Sequence, residues 1–206
     1  MIDKNKVVFF DIDTQIDFIS PKGALYVPQA ETVVGNLKKL VEFARKNGIT
    51  IVATEDSHVP DDPEFKEFPP HCVRGTWGNQ KIEATRQKDP FVIDLDYKGD
   101  IPADRKEYLI KKQVYYQPHP FFGNSPADEL LKKIKKPQAV VFGIATDFCV
   151  RSAVDGLFDR GWKVFLVTDA IKEISKDAAK KLLDDWSKRG VRLVTTAEIT
   201  ETAENR

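Results

Sequence analysis

Short runs of β-branched and aromatic residues alternate with segments of helical period along this chain, the pattern that a parallel sheet joined by crossover helices requires. Val7-Val8-Phe9-Phe10 opens the series. Ile49-Thr50-Ile51-Val52-Ala53, Tyr108-Leu109-Ile110, Ala139-Val140-Val141-Phe142, Val164-Phe165-Leu166-Val167 and Val191-Arg192-Leu193-Val194 continue it. Runs this apolar suit strands covered on both faces. Between them, Val33, Leu37, Leu40, Val41 and Ala44 recur at helical spacing and stop at Asn47-Gly48. Val150, Ala153, Val154, Leu157 and Phe158 do the same before Gly161, as do Ala179, Leu182, Leu183 and Trp186 before Gly190. Ser175 is placed to cap the last of these helices, and a further helix is expected over Pro126 to Ile134. The pattern predicts an α/β fold, a three-layer α/β/α sandwich around a central, mostly parallel sheet.

A chain of 206 residues buries roughly 70% of its unfolded surface and needs neither disulfides nor a structural metal to fold. One domain over residues 1–206 is therefore expected. The segment from Asp56 to about Asp104 interrupts the rhythm. It carries six of the twelve prolines and two of the three histidines with little periodicity, and so reads as an insertion-like loop region with a functional load.

The 32 Lys and Arg cancel the 32 Asp and Glu, which removes the cationic surplus that nucleic acid or an anionic membrane surface would need. No apolar run approaches the ~20 residues of a bilayer span. The N-terminus lacks the layout of a signal peptide, and two cysteines make no disulfide framework, so a cytoplasmic location is expected. None of the eleven glycines forms a dinucleotide-binding fingerprint or a phosphate-binding loop. A small-molecule substrate remains.

Open α/β sheets bind ligands beyond the carboxyl ends of their strands. The first strand ends in Asp11-Ile12-Asp13-Thr14-Gln15-Ile16-Asp17-Phe18, with carboxylates and an amide at that edge. The second ends in Thr54-Glu55-Asp56-Ser57-His58. Asp56 and His58, two apart on an extended segment, point to one side. With Glu64 and His71 they make four ligand-type residues within sixteen positions, a mixed oxygen and nitrogen set for zinc, manganese or iron, against the alternative of solvated surface residues.

Gly143-Ile144-Ala145-Thr146-Asp147-Phe148-Cys149 is the sharpest feature. A strand enters a tight turn and Cys149 falls in the first turn of the next helix. Free N–H groups and the positive end of the helix dipole favour a thiolate there and can hold an oxyanion. A thiol nucleophile needs a proton acceptor. His119, between Pro118 and Pro120, is expected to shape a pocket or the surface. The alternative base is Asp13, with Lys112 supplying positive charge. Cys72, next to His71, is expected to pack as a small apolar residue or to support the neighbouring ligand residues from behind.

Together these residues resemble the isochorismatase-like cysteine hydrolases, and within them the nicotinamidase (pyrazinamidase) group, over Val7 to Val194. Asp13-Thr14-Gln15-Ile16-Asp17-Phe18 is similar to the family's first-strand motif, and Gly143 to Val150 to its Gly-x-Ala-Thr-x-x-Cys-Val motif. Thr54-x-Asp56-x-His58 and Pro69-Pro70-His71-Cys72-Val73 look like the metal motif that separates nicotinamidases from metal-free relatives. The resemblance implies the isochorismatase-like hydrolase fold and a catalytic set of Asp13, Lys112 and Cys149, with Lys111 the alternative lysine one register step away. It implies an oxyanion hole from the Ala145 and Cys149 N–H groups, with a cis peptide between Ile144 and Ala145. It implies one divalent metal, zinc first and iron or manganese next, on Asp56, His58, Glu64 and His71. Phe18, Phe68, Gln15 and Ile144 would contact substrate. The implied activity is hydrolysis of a linear amide C–N bond, nicotinamide to nicotinate and ammonia in NAD salvage. A related family hydrolase acting on another amide or carbamoyl C–N bond is the alternative, and a homo-oligomer is open. Two further readings stand beside these: a metallohydrolase whose ion activates water, and a non-catalytic protein that keeps the fold.

Overall fold

Every residue of the first strand, β1 (Val7–Ile12), is buried, as a strand with layers on both faces must be. Val8, Phe10 and Ile12 enter one core and Val7 and Phe9 the other, with the period of two that a pleated strand imposes. The structure is a computed structural model that describes residues 2–135 and 137–201. The chain continues through α1 (Ile16–Ile19), α2 (Val34–Lys46), β2 (Thr50–Asp56), β3 (Phe91–Ile93), β4 (Glu107–Lys112), α3 (Ser125–Ile134) and β5 (Gln138–Ile144). It ends with α4 (Cys149–Asp159), β6 (Lys163–Lys172), α5 (Lys176–Arg189), β7 (Arg192–Val194) and α6 (Thr196–Glu201).

The strands form one sheet in the order β3-β4-β2-β1-β5-β6-β7, and every neighbouring pair is parallel. α2 and α6 pack on one face, and α3, α4 and α5 on the other. The fold is the expected three-layer α/β/α sandwich. α2 buries Leu37, Leu40, Val41 and Ala44 completely, each of the larger side chains contributing about 1.5–3 kcal/mol. Ser175 caps α5 as expected, its hydroxyl accepting from the Ala178 N–H at 3.3 Å.

The six apolar runs are all strands and the four periodic segments all helices, but the sequence pattern missed β3. Its three residues are too few to display a period, and they lie inside the proline-rich segment, where they pair with Tyr108 to Ile110 of β4. The rest of that segment is laid back on the sheet edge through backbone bridges from Gln15 to Lys81 and from His58 to Val73.

β1 is where the strand order reverses, because the chain moves to β2 on one side and later to β5 on the other. The crevice at the carboxyl ends of such strands is the ligand site of open α/β sheets. Asp13 follows β1 and Cys149 follows β5, so both stand at that crevice. Gly143 makes the approach possible. At φ +125° it lies so close to β1 that a Cβ would sit 2.0 Å from the Ile12 carbonyl oxygen, a backbone position only glycine can occupy.

Candidate active site

Four buried side chains meet at the crevice. The Lys112 Nζ lies 2.9 Å from Asp13 Oδ2 and 3.4 Å from Cys149 Sγ, and it also donates to Asp56 Oδ1. Lys112 ends β4, and its neighbour Lys111 is partly exposed, so the strand's alternation selects which lysine turns inward. Burial works against the ammonium charge, yet the carboxylates of Asp13 and Asp56 outweigh it and hold Lys112 protonated, well above the ordinary lysine range.

The thiol behaves differently from what its helix position alone predicts. Burial pushes the Cys149 thiol well above its ordinary value, and Asp13 and Asp56 add to that against the opposing charge of Lys112. Burial therefore favours the neutral form of the Cys149 thiol. The expectation of a lowered thiol is corrected, because desolvation in this crevice exceeds the help of a helix start.

Asp56, His58 and His71 place ligand atoms within 4.8 Å of one another. The His58 Nδ1 is taken by Asp62 Oδ2 at 3.0 Å, and the His71 Nδ1 by the Pro69 carbonyl at 2.8 Å. Each imidazole therefore turns its Nε2 toward the other ligands, and His58 Nε2 is buried with no hydrogen-bond partner. Outer groups that fix the remote nitrogen are the usual support of metal-ligating histidines, so these residues fit a divalent ion. Glu64 Oε1 lies 3.8 Å from His71 Nε2. Its carboxyl is pushed up to about 7 by burial and by the charge of Asp56, while burial lowers His71 and keeps its imidazole neutral. Asp13, Asp56 and Cys149 form a second close cluster, but the Lys112 ammonium occupies its middle.

A small, partly open cavity faces both groups. Phe18, Phe68, Tyr115 and Phe148 wall it, with Asp56, Glu64, His71, Ala145 and Cys149. Phe68, Tyr115 and Phe148 meet edge to face, with ring centroids 5.5 to 5.9 Å apart. The Ile144–Ala145 peptide is cis. Around the turn, the Phe148 and Val150 N–H groups donate to the Ala145 carbonyl. Among the described residues, the Ala145 and Cys149 N–H groups find no acceptor.

Two expected substrate contacts lie elsewhere. Gln15 is fully buried beneath the site, with its amide oxygen accepting from the Asp56 N–H and its amide nitrogen donating to the carbonyls of Asp56 and Asn79. With both ends engaged by backbone, it holds the Asp56 segment instead of a ligand. Ile144 is buried in the core under α2 and does not line the cavity. His119 lies on the surface, 3.6 Å from Asp159. Cys72 is buried, and its N–H donates to Asp17 Oδ2 at 2.7 Å.

Sequence reasoning missed Asp62, Tyr115 and Phe148. Asp62 stands four residues after His58, a spacing that was open to reading. Phe148 falls at an unspecified position of the Gly143 to Val150 motif and Tyr115 outside the quoted motifs, so both gain their place in the wall from packing.

The parallel sheet brings a thiol, a carboxylate and an ammonium to its switch point, next to residues that fit a metal, in an arrangement suited to hydrolysis. The chain belongs to the isochorismatase family: the model of the isochorismatase domain matches residues 7–198. It is 25% identical to the nicotinamidase of Saccharomyces cerevisiae, over 81% of this chain and 88% of that one. It superposes with a TM-score of 0.74 on the pyrazinamidase of Pyrococcus horikoshii, solved in complex with zinc, at 25% identity over 92% of this chain and 99% of that one. The N-carbamoylsarcosine amidase of Thermoplasma acidophilum gives a TM-score of 0.72 at 25% identity, over 93% of this chain and 96% of that one. No helix among the described residues is long and apolar enough to cross a membrane.

Proposed function

We propose that this hydrolase is a nicotinamidase that converts nicotinamide to nicotinate and ammonia in NAD salvage. The observation that carries the reading is the pairing, across one small aromatic cavity, of a buried thiol with two histidines whose Nε2 atoms converge on Asp56. A site for an aliphatic amide has no need of that second cluster, whereas a pyridine ring has a nitrogen to place there.

Asp13 takes the proton of the Cys149 thiol as the sulfur attacks the carboxamide carbon. The Ala145 and Cys149 N–H groups receive the charge that develops on the carbonyl oxygen. The C–N bond breaks and the amine leaves as ammonia with the proton that Asp13 held. Water then attacks the thioester, giving its proton to Asp13, and nicotinate departs as the thiol is restored. Lys112 stays protonated throughout and offsets the charge on Asp13 and on the sulfur, an effect strengthened by the dry surroundings. Phe18 and Phe68 pack against the ring. Asp56, His58, His71 and Glu64 would hold the divalent metal, zinc in the first instance. When bound, the metal supplies an electron-pair acceptor for the ring nitrogen.

The test is ammonia release from nicotinamide by zinc-loaded protein, with Cys149→Ala alongside. Turnover by the parent and none by the variant supports the reading. No release by the parent defeats it.

A further inference from the structure

We infer that Thr54 is a positioning residue for the reaction, a two-point clamp that decides which oxygen of Asp13 receives the thiol proton. The inference rests on the reading of Asp13 as the base. Asp13 is a non-glycine residue at φ +45°, a left-handed conformation that is sparsely populated and persists only where neighbours enforce it. Thr54 is the neighbour that does so. Its hydroxyl oxygen accepts from the Asp13 N–H at 3.2 Å, and its hydroxyl proton goes to Asp13 Oδ1 at 2.6 Å. With the backbone N–H on one lone pair, the hydroxyl hydrogen is directed to Oδ1 by the 2.6 Å contact, and Oδ1 is committed to it. Oδ2 is left as the oxygen 2.9 Å from Lys112, the same ammonium that lies 3.4 Å from the Cys149 sulfur. The two carboxylate oxygens are thereby unlike: one is an anchor, and the other is the proton acceptor.

The clamp has its own foundation. The Thr54 carbonyl accepts from Lys81 Nζ at 3.1 Å, and the same ammonium lies 3.0 Å from Asp11 Oδ2. Asp11 Oδ1 in turn accepts from the Thr14 hydroxyl at 2.8 Å. Asp11 belongs to β1 and Thr54 to β2, so this buried ion pair ties the ends of the two strands at the level where Asp13 leaves the sheet. Lys81 comes from the proline-rich segment, and the mechanism above uses neither it nor Asp11. Thr54 is fully buried and does not line the substrate cavity, so its influence reaches the chemistry only through Asp13.

The test compares Thr54→Val, Thr54→Ala and Thr54→Ser with the parent, each zinc-loaded, by steady-state kinetics and by the rate at which iodoacetamide alkylates Cys149. Val and Ala remove both bonds at different volumes, so a packing defect in one does not decide the outcome. The expected result is a loss in kcat of about a hundredfold in both, the scale of a misplaced general base, with KM within about threefold of the parent. Ser should recover most of kcat, and alkylation of Cys149 should slow in Val and Ala but not in Ser. A parental kcat in Val or Ala, a loss confined to KM, or a Ser variant no better than Val would overturn the inference. The alkylation arm needs no substrate and separates the two claims. Asp13→Asn alkylated at the parental rate would overturn the base and with it the clamp, whereas slow alkylation of Asp13→Asn beside parental alkylation of Thr54→Val would overturn the clamp alone.

Discussion

Lys112 Nζ lies 2.9 Å from Asp13 Oδ2 with both side chains fully buried, so this ammonium is held by the carboxylate proposed as the base. Removing one partner of such a pair leaves an uncompensated buried charge, at a cost of about 3–5 kcal/mol. Lys112→Met should lower the free energy of unfolding read from urea denaturation by an amount on that scale and abolish turnover. A variant of parental stability would show that Asp13 and Asp56 do not depend on this ammonium.

The Cys149 thiol is raised by burial and then by two carboxylates, so it should be neutral across the working range of pH. The sign is that of an acid whose charged form is disfavoured: thiolate appears only as pH climbs past the ordinary cysteine value. Ultraviolet titration at 240 nm should show no thiolate from Cys149 below pH 9.0, the ordinary value from which it is raised. A band at neutral pH that disappears in Cys149→Ala would contradict this.

Glu64 holds its proton up to about pH 7, while His71 is already neutral there. A metal requires the carboxylate, so zinc affinity should climb as pH rises toward 7 and level off above it, with a proton released on binding at pH 6. Titration calorimetry in buffers of different ionisation enthalpy measures that proton. Glu64→Gln should flatten the dependence; an unchanged profile would place Glu64 outside the metal site.

Asp62 fixes His58 through Nδ1 at 3.0 Å. Asp62→Asn should weaken zinc binding by about 10–100-fold, as loss of an outer-shell partner does elsewhere. Competition with a chelator reads the effect, and parental affinity would leave Asp62 with a surface role only.

Much of this arrangement was legible in the sequence because it depends on local pattern. The apolar runs fixed six strands, and the spacing from Gly143 to Cys149 put the thiol at the start of α4. What was not legible is what distant segments do to one another. The resemblance implies Gln15 as a substrate contact, but the Asp56 backbone arrives from β2 and engages both ends of its amide. The Cys149 thiol reads as acidic from its helix position, but burial under the packed segments pushes it up, and Asp13 and Asp56 add to that. The Thr54 clamp was invisible for the same reason, since forty-one positions separate the hydroxyl from the carboxylate it holds.

The most direct measurement is intact-mass spectrometry of zinc-loaded protein quenched with acid during turnover of nicotinamide, followed by peptide mapping. The expected result is a nicotinoyl adduct on the peptide that carries Cys149, formed and lost at rates consistent with ammonia release and absent in Cys149→Ala. Continued ammonia release by Cys149→Ala, or a Cys149 adduct formed from a carbamoyl substrate but not from nicotinamide, would contradict the assignment.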